Sequence, residues 1–378
     1  VLARLPDAPP GTKGISLFLV PKRLPAADGN AGAANGVSCG AIEHKMGIHG
    51  NATAVIHFEN ATGFLLGEPN RGLNAMFTFM NIARIGTAVQ GVAHSELALQ
   101  GAVRYARERL QMRALTGPAN PAGAADPIIV HPDVRRMLLT IKAFAEGTRL
   151  LIQTLAYEVD RAYLAPTAEE RQQAEDLLAL LTPIAKGFCT EVGFEAASLG
   201  IQVFGGHGYI REWGMEQNLR DARIGMIYEG TNGIQAIDLV TRKLPLGDGE
   251  HVHGYIDELV AVAAAARASG PAGLGRTADI LDEALDDLSE ATRFLQDLAA
   301  RGETEQALAG ATPYLRLISL CAGGAYLARG ALADASAGRA ELCRFYAENL
   351  LVEVPALKAR VIGGAASMLA AGKALVSP

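Results

Sequence analysis

The sequence predicts a mainly α chain that opens with a partial antiparallel β domain and closes with an appended helical domain, and three observations carry that prediction. Up to about residue 66, β-branched and apolar residues come in short runs between Pro, Gly and Asn breaks. From Gly72 the apolar residues recur at helical spacing instead. Two glycine-rich breaks, at Gly205-Gly206-x-Gly208 and at Gly230 to Gly233, then interrupt the helical pattern. The expected divisions are residues 1–70 (β), 71–245 (a four-helix bundle) and 246–378 (a helical extension).

The β part rests on Val1 to Leu5, Ile15 to Val20 and Thr53 to Phe58 as strands of a small antiparallel unit, with the Ala/Gly/Asn-rich interval Pro25 to Gly36 as a mobile loop. The opening VLARLPDAPPGTKG reads as a strand already in progress, so Val1 is expected to lie inside a longer protein.

The bundle begins with Met76, Phe79, Met80, Ala83, Thr87 and Gln90 on one helix running to Arg109, ended by the proline-rich loop 117–127. A second helix is expected from Pro132 to about Tyr163, since proline suits a first turn. A third runs from Ala168 to Leu199 with Pro183 as a kink, and a shorter fourth closes near Leu244-Pro245. Beyond it, helices are expected at about 252–268, 276–301, 303–334 and 338–372, with Pro313 and Pro355 kinking or splitting the last two. The small residues of Cys321-Ala322-Gly323-Gly324-Ala325 permit close helix contact.

Composition narrows the function classes. The chain has 378 residues, 49% hydrophobic and 20% charged, enough for a sizeable core. A formal net charge of −6 argues against a nucleic-acid partner, which needs a basic excess to neutralise phosphates. Arg104, Arg107, Arg109 and Arg113 read as a solvated helix face. Cys39, Cys189, Cys321 and Cys343 are scattered without a CxxC, which suits reduced thiols in a cytoplasmic protein better than disulfides or zinc. His251-Val252-His253 has strand-like spacing and no third ligand nearby, so no metal is expected. No uninterrupted apolar run reaches the ~18 residues of a membrane span.

The stretch from Gln202 to Gln235 is where chemistry is expected. Closely spaced glycines let a backbone pass a flat or charged ligand at contact distance, and Thr231 is placed to cap a helix restarting at Ile234. Glu229, the lone acid of the second break, reads two ways from the residues alone: a surface loop acid, or a general base with a raised pKa after the apolar Ile224 to Ile227 run. Arg84, on an otherwise apolar helix, likewise either snorkels to water or faces a pocket. His131 is assigned no chemistry.

Gln202-x-x-Gly205-Gly206-x-Gly208-Tyr209, followed by Arg220-Asp221-Ala222-Arg223 and Tyr228-Glu229-Gly230-Thr231, resembles the C-terminal signature of the acyl-CoA dehydrogenases. Gly14 to Val20 and Lys45-Met46-Gly47-Ile48 resemble the second half of that family's β domain, whose first half and preceding helical domain come before this point. The extension, ARERLQMRALTG and DPIIVHPDVRRML resemble the branch that includes 3-methylmercaptopropionyl-CoA dehydrogenases.

The resemblance implies FAD-dependent α,β-dehydrogenation of an acyl-CoA thioester, with Glu229 taking the α-proton and the β-hydrogen leaving as hydride to the flavin. It implies FAD contacts from Arg109, Gln202, Gly205, Gly206, Thr231 and Gly233, and substrate contacts from Arg84, Tyr228 and Gly230. It also implies electrons passed to an electron-transferring flavoprotein, and a homodimer or higher homo-oligomer sharing FAD between subunits. Two departures are visible. Leu110-Gln111-Met112-Arg113 follows Arg109 where the family has Arg-x-x-Phe-Gly, leaving Arg113 as a second phosphate contact, and Ala83 stands where the isovaleryl branch carries its carboxylate. An acyl-CoA oxidase and a non-catalytic flavoprotein fragment or assembly subunit are the rival readings.

Overall fold

The structure, a computed structural model, describes residues 1–270, 274, 276–334 and 337–375, so the predicted Ser-Gly-Pro-Ala-Gly break at 269–273 lies partly outside the described residues. The chain divides into two compact units, Val1–Ala83 and Arg84–Pro378. It is mainly helical.

The strands of the first unit are β1 Leu2–Arg4, β2 Ile15–Leu19, β3 Arg23–Pro25, β4 Ala31–Ala34, β5 Val37–Ile42, β6 Ala54–Phe58 and β7 Phe64–Leu66. They pair antiparallel in the orders β1-β2-β7, β3-β4 and β5-β6, with Leu17 opposite both Leu2 and Leu66. The interval expected to be a mobile loop is instead the β3-β4 hairpin. Its turn is set by Asp28-Gly29, a pair suited to hairpin turns: Asp28 Oδ1 accepts from the Asn30 N–H at 3.0 Å, and Gly29 takes φ +81°. Asn35, nearly fully buried, donates to the Pro21 and Thr62 carbonyls at 2.8 Å and accepts from the Thr62 N–H.

The helix α1, Gly72–Glu108, carries the unit boundary. With it, α2 Pro132–Leu164, α3 Ala168–Phe204, α4 Met215–Arg223 and α5 Asn232–Asp238 form the bundle. Pro132 starts α2 as the sequence predicts, and a capping box between Thr167 and Glu170 starts α3. Where α1 crosses α3 their backbones touch. A Cβ added at Gly91 would lie 2.1 Å from the Cys189 carbonyl oxygen, and one at Gly193 would lie 2.6 Å from that of Gly91.

The extension consists of α6 Glu250–Ala268, α7 Thr277–Ala300, α8 Thr304–Ala309, α9 Ala311–Ala333, α10 Ala337–Asn349, α11 Val354–Gly363 and α12 Ala365–Ala370. The expected splitting occurs, but Pro313 and Pro355 lie in the first turns of α9 and α11, where proline's missing N–H costs nothing. The small-residue run does bring helices together: a Cβ on Gly323 would lie 2.5 Å from Tyr346 Oη, and one on Gly324 would lie 3.0 Å from Leu351 Cδ1. Leu180, Ile184 and Leu239 of the bundle share one buried cluster with Leu285, Leu317 and Leu351 of the extension.

His251 and His253 lie in α6, near the start of the helix expected at about 252–268; they face Asp176 at 3.7 Å and Gln296 at 2.9 Å. Among the described residues, Ala168–Tyr209 is long and apolar enough to cross a membrane by length and composition, although no uninterrupted apolar run marks it. Of its most apolar window 72% is buried inside the fold, so helix packing accounts for that apolarity.

Candidate functional site

Two clusters collect the residues singled out in the sequence. The first is a cleft of about 550 Å³ at the end of α3, lined by Arg109, Gln202, Gly205 and Gly206 with Tyr105 and His207. Its shape follows from the glycine break. Gly205 ends α3 at φ +58°, a conformation that costs a residue with a Cβ, and a Cβ on either Gly205 or Gly206 would meet nothing within 4 Å, so the backbone there is open. Gly208 is required for a different reason: its Cβ would lie 2.5 Å from the Ile201 carbonyl oxygen.

An aromatic group supports the cleft. Tyr105 stacks on Phe204 with centroids 4.3 Å apart, its hydroxyl lies 2.9 Å from His207 Nδ1, and the His207 ring stacks on Trp213 at 4.5 Å. Arg109 is held at the rim by a loop whose backbone pairs with itself, Ile128 N donating to the Arg109 carbonyl and Gln111 N to that of Asp126. Asp126, which the sequence reading overlooked, staples this loop. Its enclosed carboxylate accepts from the N–H groups of Ala114 and Asn120 at 2.9 and 2.6 Å and from Arg113 at 3.3 Å. These bonds, with the Ala114 N–H foremost, pull its pKa down to about 2. Arg113 also donates to the Asn120 and Gly123 carbonyls, so it staples the loop.

The second cluster is built on the turn from Tyr228 to Asn232. Glu229 is half-buried with φ +57°, and Gly230 follows at φ +83°. A left-handed non-glycine residue costs backbone energy that the surroundings must offset. Here they do so by holding both carbonyls. Lys186 Nζ donates to the Gly230 carbonyl at 2.7 Å, and Gln235 Nε2 reaches the Gly230 and Glu229 carbonyls at 3.2 and 3.4 Å. Thr231 caps α5 as expected, accepting from the Ile234 N–H at 3.2 Å. Tyr228 donates to Gln90 of α1, and burial raises its pKa.

Arg84 belongs to this second cluster. Its side chain is only 12% exposed and faces Asp238 at 4.0 Å, so the reading in which it snorkels to water is overturned. Lys186 was also overlooked. It is fully buried, and burial, reinforced by the Arg84 charge and opposed by Glu229, pushes its pKa down to about 8. Its signal was a lone charge in the apolar run LLALLTPIAKGFC. Gly233 sits exposed in the first turn of α5, and Gln202 at the C-terminal end of α3 belongs to the first cluster. Lys186 and Gln202 share α3 sixteen residues apart, which places them about 24 Å from each other along its axis.

The bundle and its two glycine turns have their counterpart in one class of domain. Residues 70–244 match the acyl-CoA dehydrogenase C-terminal domain and residues 254–371 match the acetyl-CoA dehydrogenase C-terminal-like domain. Over these residues the chain carries the C-terminal domains of the acyl-CoA dehydrogenases. It is 42% identical to 3-methylmercaptopropionyl-CoA dehydrogenase of Ruegeria pomeroyi, over 98% of this chain and 64% of that protein. Its fold is similar to Caenorhabditis elegans ACDH-11, solved in complex with C11-CoA, with a TM-score of 0.77 at 22% identity over 93% of this chain and 56% of that one. It is similar also to an acyl-CoA dehydrogenase of Bacillus anthracis complexed with FAD, with a TM-score of 0.66 at 19% identity over 96% and 64%. The chain spans less than two thirds of the length of each of these relatives.

Proposed function

We propose that this chain carries the proton-abstracting and much of the FAD-binding machinery of an acyl-CoA dehydrogenase, converting an acyl-CoA thioester to the trans-2-enoyl-CoA. The observation that carries the reading is the left-handed Glu229, held on a turn whose two carbonyls are pinned, with Arg84 and Lys186 as its cationic neighbours. The R. pomeroyi relative makes 3-methylthiopropionyl-CoA the substrate to try first. FAD fits the first cluster in chemistry. Arg109 supplies a cation, Gln202 an amide, and Gly205 and Gly206 an open backbone on which no Cβ blocks a diphosphate. Thr231 and Gly233 lie in the second cluster, so each FAD of the proposed homo-oligomer would take the two sets of contacts from two subunits.

Bound FAD supplies the hydride acceptor. The Glu229 carboxylate takes the α-proton, and the C–H electron pair becomes the α,β double bond as the β-hydrogen departs with its own pair. The thioester thus loses one proton and one hydride. A thioester α-proton is too weakly acidic for an unaided carboxylate, so charge developing on the thioester oxygen needs a fixed donor, and the Glu229 backbone N–H is the one proposed. Arg84, Tyr228 and Gly230 line the substrate's place. Electron-transferring flavoprotein is the proposed electron acceptor, a homo-oligomer the proposed assembly and the bacterial cytoplasm the proposed location.

The test is anaerobic titration of the FAD-loaded protein with acyl-CoAs, read as bleaching of the oxidised-flavin band. Glu229→Gln is expected to slow bleaching by about 100-fold or more, within the range of a lost general base. Bleaching at an unchanged rate in Glu229→Gln would remove Glu229 from this role, and rapid oxygen uptake during turnover would turn the reading towards an oxidase.

A further inference from the structure

Lys186 raises a physical question that the proposed function does not absorb. An ammonium with no exposed surface is held by the neutral Gly230 carbonyl at 2.7 Å and Asn232 Oδ1 at 3.0 Å. A buried charge held by neutral oxygens is expensive, and a hydrophobic side chain of similar volume would fill the same space without that cost. Stability therefore does not explain a lysine here.

The surroundings point to placement instead. Asn232 is locked to α3 at both ends of its amide, Nδ2 donating to the Gly187 carbonyl at 3.0 Å and Oδ1 accepting from Thr190 Oγ1 at 3.2 Å. Lys186 adds the Gly230 carbonyl to this anchorage, so both sides of Thr231 are tied to one rigid helix. The charged groups facing the ammonium are Arg84 from α1 and Glu229 from the turn, while Asp238 of α5 is engaged with Arg84 and Arg242.

We infer that Lys186 is a positioning residue for Glu229: by gripping Gly230 and Asn232 from the interior of α3 it holds the turn that presents the carboxylate. This rests on the reading of Glu229 as base. The position is also open to substitution. Gly230 O keeps Gln235 Nε2 at 3.2 Å when the ammonium is removed, while Asn232 Oδ1 keeps only a share of the Thr190 hydroxyl, whose shorter bond at 2.7 Å goes to the Lys186 carbonyl.

The experiment compares Lys186→Met, Asn232→Ala, Glu229→Gln and the parent protein, all FAD-loaded, by thermal melting, acyl-CoA binding and the rate of anaerobic flavin bleaching. Lys186→Met is expected to melt no lower than the parent and to bind acyl-CoA with unchanged affinity, while bleaching roughly 10- to 100-fold more slowly. A parent-like rate in Lys186→Met would overturn the inference. So would a loss of rate that only parallels lost flavin, lost acyl-CoA affinity and lost melting temperature, since that is what a packing role gives. Should Lys186→Met fail to fold, Asn232→Ala decides: a several-fold slower bleaching supports the inference, and an unchanged rate overturns it. If Glu229→Gln bleaches like the parent, the base reading falls and takes this inference with it; if only Lys186→Met does, the inference alone falls.

Discussion

The Asp126 carboxylate accepts a hydrogen bond from the Ala114 backbone N–H at 2.9 Å, and through that bond and its partners twelve residues of irregular chain are closed on themselves. Arg109, at the rim of the proposed FAD cleft, is carried by the start of this loop. Asp126→Asn replaces an acceptor oxygen with an NH₂ that must face an N–H or a guanidinium. The variant is expected to show faster amide hydrogen exchange across 109–127 and weaker FAD binding, both measured on the purified protein.

The same carboxylate sets an acid response. Its folded-state pKa is depressed to about 2 from the ordinary carboxylate value. A depressed carboxylate contributes stability that is present above its unfolded pKa and is lost as pH falls through the window from about 4 to about 2. Exchange protection of the loop should decline over that window in the parent, and Asp126→Asn should not show this decline.

Gly206 and Gly208 are two residues apart and should respond oppositely to alanine. Gly208→Ala puts a Cβ 2.5 Å from the Ile201 carbonyl oxygen and 2.9 Å from Phe204 Cβ, an overpacking expected to cost about 1–3 kcal/mol. Gly206→Ala meets nothing within 4 Å and is expected to leave the melting temperature unchanged while reducing FAD affinity. Parallel melts and flavin titrations check both; equal destabilisation by the two would contradict the geometry.

In the extension, Gly323 lies against Tyr346, whose hydroxyl donates to the Leu320 carbonyl at 3.0 Å. Gly323→Ala should destabilise by about 1–3 kcal/mol because its Cβ meets that hydroxyl. Removing the hydroxyl with Tyr346→Phe should make the second change less damaging than the sum of the two, a coupling that a double-mutant cycle on thermal unfolding measures.

Helix starts and stops were legible because their signals are local. Pro132, Thr231 before Ile234 and the breaks at Gly205 and Gly230 act through bonds within a few residues. The β3-β4 hairpin was equally local but was masked by its Ala/Gly composition, although Asp28-Gly29 marks it. Lys186 was not legible in role, since it gets its meaning from Gly230, which the fold brings to 2.7 Å from a distant stretch of chain. Asp126 was missed although its partners are near in sequence, because an irregular loop carries no periodic pattern to mark them.

By itself the sequence determined the long helices of the bundle, the two glycine breaks and the family signature that singles out Glu229, because periodicity, caps and motifs are properties of neighbouring residues. Only the tertiary structure decided that Arg84 faces Asp238 instead of water, that Arg113 staples a loop, and that a buried lysine holds the turn of the proposed base. Those outcomes depend on which long side chains find an oxygen once water is excluded, and the partner is chosen by packing between helices, not by spacing along one of them.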